Sequence, residues 1–352
     1  MQTLRLTLDL HDLSAPRSQD AIEAGAAILR KGGTVAFPTE TVYGLGANAL
    51  DAAAIAKIFE AKQRPAWDPL IVHIADQKML ERVVARVPEN ALRLIDAFWP
   101  GPLTLLLPRH ERVPKIVTAG RPLVGVRMPQ HPVAHALVQA ADLPIAAPSA
   151  NSFGRTSPTL AAHVLEDLDG RIDAVLDGGE TTHGLESTVV EASEERCIVY
   201  RPGVITLEQI RAVCPGAMAY SESPLLSDAP PESMPSPGVG IRHYAPRARL
   251  ILIEAQERFT DQKQAFEQAI ANVQGERLGL MLPEDFEPGA AGSRALMYRW
   301  GSWRNPEELA QRLFAGLRWL DSQGATVILC PLPQAKGVGI AIRDRLRKAA
   351  RS

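Results

Sequence analysis

The sequence predicts an α/β protein of two domains joined by a linker, and three observations predict it. From Ser18 to about Val213, helical patterns alternate with short β-rich runs. Pro215 to Pro237 is crowded with proline, serine and small residues and has no periodic apolar pattern. From Arg249 a second strand–helix alternation begins. The expected boundaries are 1–214 for the first domain, 215–248 for the linker and 249–352 for the second domain. Strand candidates of the first domain are separated partly by helices and partly by turns, which predicts a mixed sheet with flanking helices. The regular alternation of the second predicts a smaller, mostly parallel, Rossmann-like sheet.

Taken in order, Ala21 to Leu29 places apolar residues at helical spacing, and Thr34-Val35-Ala36-Phe37 reads as a strand. Asp51, a short polar side chain, can cap a helix over Ala52 to Ala61. Leu70 to Ile74 is a continuous apolar run, as expected of a strand buried on both faces. Further strands are expected at Leu103 to Leu107, Leu123 to Arg127, Ile145 to Ala147, Ala174 to Leu176, Thr188 to Glu191 and Cys197 to Tyr200. Helices are expected at Pro132 to Ala140 and Ala161 to Leu168. The second domain offers strands at Leu250 to Ile253, Leu278 to Met281 and Thr326 to Leu329, with helices at Gln262 to Val273, Pro306 to Leu320 and Val338 to Ala350.

A length of 352 residues suits two domains, and 46% apolar with 22% charged residues matches a soluble globular composition. The balance of 38 Lys+Arg against 40 Asp+Glu argues against a sequence-blind nucleic-acid binder, while leaving room for a local basic groove. Met1 to Pro16 lacks the apolar core of a signal peptide, and no apolar run of ~18 residues spans a membrane. Cys197, Cys214 and Cys330 form no Cys-x-x-Cys pair, so a reducing cytoplasm is expected, with the cysteines as small buried apolar residues.

Lys31 to Ala47 reads as a buried strand running into a polar, glycine-rich turn, where backbone N–H groups could approach a ligand. The plain alternative is an ordinary strand-to-helix connection. Lys62 and Arg64 stand at a helix end, where cations ordinarily complement the dipole; beside a buried strand, two cations would also suit a triphosphate. His73 lies inside an apolar strand, where a satisfied core histidine is the default. Arg127 ends a buried strand and must reach solvent, a carboxylate or a ligand. Pro148 to Gly154, then Ser157-Pro158-Thr159 as a helix start, Gly184 to Thr188 and Arg201-Pro202-Gly203 are further polar or small-residue turns at strand ends. Together they predict one concave site for an anionic ligand. No Walker loop, Gly-x-Ser-x-Gly, Gly-x-Gly-x-x-Gly or metal-ligand spacing occurs, so any nucleotide is held by another device.

These blocks, in this order, resemble the YrdC-like threonylcarbamoyl-adenylate synthases in their longer, two-domain form. Phe98-Trp99-Pro100-Gly101-Pro102-Leu103-Thr104, Ser236-Pro237-Gly238, His243-Tyr244-Ala245-Pro246 and Gly337 to Leu346 extend the resemblance over nearly the whole chain. The resemblance implies a YrdC-like twisted sheet and synthesis of threonylcarbamoyl-AMP and pyrophosphate from L-threonine, bicarbonate and ATP with Mg2+, with no structural metal. Downstream proteins would transfer the product to tRNA. Lys62, Arg64, Ser149 and Asn151 would form the catalytic set. Thr41, His73, Arg127, Ser149 and Ser187 match threonine-site positions, Arg127 pairing with the substrate carboxylate. Arg64, Asp68, Asn151, Thr159, Arg201 and Tyr244 match ATP-site positions, Tyr244 as part of a lid hinged at Gly238 and Gly240. Asp68 departs from the neutral asparagine of many relatives, and Val239 from a frequent methionine. The rival readings are a carbamoyl-adenylate-forming enzyme, whose Cys-x-x-Cys zinc fingers are missing here, and a YrdC-type RNA-binding module with weak RNA contact.

Overall fold

The computed structural model describes residues 2–221, 234, 236, 243–254, 259–273, 275–284, 286–287 and 295–351. Pro237, Gly238, Val239 and Gly240, with the expected hinge, lie outside the described residues. The chain forms two compact units. The first comprises Met1–Phe153, Pro158–Thr182 and Glu186–Gly240; the second takes Gly154–Ser157, His183–Leu185 and Ile241–Ser352.

The first unit runs β1 (Leu4–Thr7), α1 (Pro16–Arg30), β2 (Val35–Phe37), β3 (Gly44–Asn48), α2 (Ala52–Lys62), β4 (Ile71–His73), α3 (Gln77–Val83) and α4 (Glu89–Phe98). There follow β5 (Leu103–Pro108), β6 (Leu123–Arg127), α5 (Pro132–Ala141), β7 (Ile145–Ala146), α6 (Ala161–Leu168), β8 (Ala174–Asp177), β9 (Thr188–Ala192), β10 (Cys197–Arg201), α7 (Leu207–Val213) and β11 (Met218–Ala219). The strands form one mixed sheet in the order β1-β8-β2-β3-β7-β4-β6-β5-β9-β10-β11. Its last strand, β11, pairs parallel to β10 and lies beyond the expected boundary at residue 214. Cys197 and Cys214 are both buried and free; burial, then the neighbouring Cys214 thiol, pushes Cys197 up to about 12, leaving it an inert apolar side chain at neutral pH.

The local chemistry explains the turns that matter. Asp51 accepts from the Ala53 and Ala54 amides and starts α2 as expected. Gln63 ends that helix in the left-handed region at φ 54°, so the chain reverses between Lys62 and Arg64. The glycine-rich turn is differently built from its expectation. Only residues 38–43 are turn, while Gly44 and Gly46 lie in β3, antiparallel to β2. A Cβ on Gly46 would come within 2.7 Å of Ile145 and of Phe37, so this glycine accommodates close packing of protein on protein.

The second unit contains β12 (Arg249–Ile253), α8 (Phe259–Ala271), β13 (Leu278–Leu282), β14 (Leu296–Arg299), α9 (Pro306–Ser322), β15 (Val327–Pro331) and α10 (Val338–Ala349). Its sheet, in the order β12-β15-β13-β14, is parallel throughout. Asn305 accepts from the Glu308 amide and Pro306 opens α9, a helix start that proline's fixed φ favours. Ile253, Phe266, Leu280, Leu282, Phe286, Val327 and Leu329 belong to this unit's own apolar cluster.

Candidate active site

The polar turn after β2 is a self-contained hydroxyl network. Thr39 Oγ1 donates to the Val42 carbonyl at 2.7 Å and lies 2.8 Å from Thr41 Oγ1. Arg127, ending β6, reaches into it: Nη1 donates to Thr41 Oγ1 at 2.8 Å and Nε to the Gly101 carbonyl at 3.1 Å. Its Nη2 faces Glu40 Oε1 at 2.5 Å in an ion pair buried on both sides. Sequence reasoning left open whether Arg127 meets solvent, a carboxylate or a ligand, and passed over Glu40. The signal was available, since a carboxylate in a turn between buried segments also needs a partner. Burial works to raise the Glu40 carboxyl, but the Arg127 guanidinium outweighs it and holds it down at about 2.

His73 and Arg127 end adjacent parallel strands and pair in register. The His73 ring is buried and meets Phe37 edge-on at 6.0 Å between centroids. Its Nδ1 has no hydrogen-bond partner among the described residues. Burial, then the Arg127 charge, lowers His73 to about 3, so the imidazole is neutral at physiological pH.

The turn is stitched to the loop after β7. Leu45 donates its amide to the Pro148 carbonyl, Ala150 to Tyr43, and Tyr43 to Pro158, at 2.8, 2.8 and 2.9 Å. Lys62 Nζ donates to the carbonyls of Ser149, at 2.6 Å, and Asn151. Lys62 is buried, so it fixes the shape of the loop bearing Ser149 and Asn151. Arg64 curls back on its own loop, donating to the carbonyls of Asp68 (3.2 Å) and Pro69 (2.8 Å) and pairing with Asp68 Oδ2 at 2.9 Å. Burial raises the Asp68 carboxyl, against the pull of Arg64, Lys62 and Arg201. Met234 also meets this loop, donating its amide to the Trp67 carbonyl at 3.1 Å.

Arg201, ending β10, gives Nε and Nη2 to the Ser187 carbonyl at 3.1 and 3.0 Å, and Nη2 to Ser187 Oγ at 3.2 Å. Thr159 is not helical: α6 starts at Ala161, and the Thr159 amide donates to His163 Nδ1 at 3.3 Å. Tyr244 belongs to the second unit, where it is buried at φ 66°. Its ring stacks on Phe314 at 5.7 Å and lies 5.2 Å from the Arg345 guanidinium.

Among the described residues no group of three or more His, Cys, Asp or Glu side chains could hold a metal ion, and no helix is long and apolar enough to cross a membrane. The expected residues therefore fall into separate groups. Thr41, His73 and Arg127 gather around Glu40; Lys62, Arg64, Asp68, Ser149 and Asn151 lie at the turns after α2 and β7, with Ser187 at the start of β9 held by Arg201 at the end of β10. Thr159 meets His163, and Tyr244 packs against Phe314 and Arg345 in the second unit.

Comparison with known proteins extends this picture. The Sua5–YciO–YrdC family model, described as telomere recombination, matches residues 27–203. A second model, described as the threonylcarbamoyl-AMP synthase C-terminal domain, matches residues 205–351. A curated threonylcarbamoyl-AMP synthase of Pyrococcus abyssi is 43% identical over 331 residues, 94% of either chain. One of Bacillus subtilis is 43% identical over 352 residues, covering 99% of this chain and 98% of that one. The crystal structure of P. abyssi Sua5 complexed with L-threonine superposes with a TM-score of 0.88 at 40% identity, covering 99% of this chain and 98% of that one.

Proposed function

This chain belongs to the Sua5–YciO–YrdC family, and from that premise we propose that its first unit makes threonylcarbamoyl-AMP from L-threonine, bicarbonate and ATP, releasing pyrophosphate. The observation that carries the reading is the buried Arg127–Glu40–Thr41–His73 cluster, in a fold shared with a relative solved with L-threonine bound.

Arg127 is the proposed partner of the threonine carboxylate. Each of its Nη atoms carries two N–H groups, so a guanidinium already facing Thr41 and Glu40 keeps capacity for a second carboxylate. Thr41, Ser149 and Ser187 supply hydroxyls. His73 supplies a neutral ring whose buried Nδ1 has no hydrogen-bond partner among the described residues. The threonine amine adds to the carbon of bicarbonate with loss of water, giving a carbamate. A carbamate oxygen then attacks the α-phosphorus of ATP, and the bond to pyrophosphate breaks. The protein's task is alignment and neutralisation of charge. Lys62, Arg64, Ser149 and Asn151 are the proposed catalytic set, and Arg64, Asp68, Asn151, Thr159 and Arg201 the proposed nucleotide contacts. ATP would enter as its Mg2+ complex. The product would pass to proteins that modify tRNA, in a cytoplasmic setting that suits three free thiols.

The test is pyrophosphate release from MgATP and bicarbonate with and without L-threonine, repeated with Arg127→Lys. Lysine keeps the charge beside Glu40 but loses the planar fork. The expected result is threonine-dependent release and a threonine KM raised ~10-fold or more in the variant, with the ATP KM little changed. Release independent of threonine, or an unchanged threonine KM, would overturn the reading.

A further inference from the structure

Thr104, in β5, is wholly buried yet polar. Its hydroxyl lies 2.8 Å from Ser187 Oγ, which among the described residues is its one hydrogen-bond partner. The backbone places the pair deliberately. Gly101 accepts from Arg127, the Pro102 carbonyl accepts from the Thr188 amide at 3.0 Å, and β5 pairs parallel to β9 with Leu103 opposite Thr188.

The direction of the protons follows from counting. A serine oxygen has two lone pairs and one proton. Arg201 can only donate, and its Nη2 takes one of those lone pairs. The buried Thr104 proton is satisfied only by donating to Ser187 Oγ, which takes the second. Ser187 then has no lone pair left, and its own proton has no acceptor among the described residues.

We propose that Thr104 is a positioning residue: with Arg201 it saturates the Ser187 oxygen as an acceptor and leaves Ser187 a fixed donor to an anionic oxygen of the bound threonine or its carbamate. This rests on the reading of Ser187 as a threonine-site residue. Arg201, proposed to contact the nucleotide, then ties both substrates to the Ser187 hydroxyl.

The experiment is steady-state pyrophosphate release against L-threonine concentration, at saturating MgATP and bicarbonate. It compares Thr104→Val, Thr104→Ser, Ser187→Ala and the Thr104→Val/Ser187→Ala double variant, with Tm measured for each. Thr104→Ala, which drops the same hydroxyl without the methyl groups, stands in if valine prevents folding. Expected are threonine KM values raised ~10-fold in Thr104→Val and in Ser187→Ala, with the ATP KM within twofold of the parent. Thr104→Ser keeps the donor and stays within about threefold of the parent. The double variant is no worse than Ser187→Ala alone, because Thr104 acts through Ser187. A parental threonine KM in Thr104→Val beside a raised one in Ser187→Ala overturns the inference and spares the site reading. A double variant impaired by the product of the two single effects also overturns it. A parental KM in Ser187→Ala overturns the site reading and, with it, the inference.

Discussion

His73 couples the candidate threonine site to the acid stability of the fold. Its folded pKa is lowered to about 3, by burial first and then by Arg127, whereas an ordinary histidine titrates near 6.5. The unfolded chain therefore binds a proton that the folded chain refuses. The resulting stability is complete above pH 6.5 and is lost as pH falls from 6.5 toward 3, at up to ~1.4 kcal/mol per pH unit. Glu40 acts in a lower window. Its carboxyl is held at about 2 against an ordinary 4.5, so its contribution is present above 4.5 and is lost as pH falls from there toward 2. Thermal melts from pH 7.5 to 4 should show Tm falling already between 6.5 and 5, above the range in which ordinary carboxylates titrate. His73→Gln should lessen that early fall, with His131, which burial also lowers, carrying the remainder, and leave the steeper fall below 4.5. Parallel curves for parent and variant would show that His73 does not carry the early fall. The same residues explain how far the site is legible in sequence. Arg127 announces itself because a charge at the end of Leu123–Arg127 must be compensated, but its compensation by Glu40 joins two segments far apart in the chain. Pairing of that kind depends on the sheet order, which no local pattern encodes.

Among the elements, β3 shows what a glycine-rich motif can conceal. Replacing Gly46 with alanine sets a Cβ 2.7 Å from Ile145 and Phe37, both fully buried. Overpacking of this kind costs about 1–3 kcal/mol, more than the ~0.5–1 kcal/mol that alanine gains over glycine in a regular element. Gly46→Ala should therefore lower the urea midpoint, and Phe37→Leu in the same chain should recover part of the loss. A double variant no more stable than the two single losses summed would place the strain elsewhere. Strands buried in the sheet, such as β4 and, beyond Leu123, β6, and the parallel sheet of the second unit are legible because continuous apolar runs and regular alternation have no other simple meaning. Helix α3 is seven residues long, shorter than the window in which periodicity is visible. Helix α4 is absent from the expected elements although the spacing of Ala91, Leu94 and Ile95 fits the same rule. Strand β3 is hidden because its glycines, following the hydroxyl-bearing Thr39, Thr41 and Tyr43, read as turn, while its close packing exists only once β7 lies beside it.

For the whole molecule, the question is which part can stand alone. The apolar cluster of the first unit is drawn from Leu8 through Ala217, and all its strands end by Ala219. The second unit has its own cluster, from Ile253 to Leu329. A chain ending at residue 240 should therefore fold with a cooperative melt, since it keeps every strand and every buried apolar group of the larger sheet. It would not be unaltered, because Gly154–Ser157 and His183–Leu185 belong to the second unit. Within that unit Arg318 donates to the Thr156 carbonyl at 2.6 Å, and a Cβ on Gly184 would sit 2.4 Å from the Gln311 carbonyl oxygen. Both stretches lose those contacts on truncation, and exposed stretches with few contacts are where proteases cut. Limited proteolysis of the shortened chain should cleave first near residues 154–157 and 183–185, while the intact chain resists there. Threonine-dependent pyrophosphate release should persist at a reduced rate, because Gly154–Ser157 directly follows the loop bearing Ser149 and Asn151. An uncooperative melt would mean that the larger core is not self-sufficient. Unchanged protease resistance in a chain with full activity would mean that the second unit does not hold these two stretches in place.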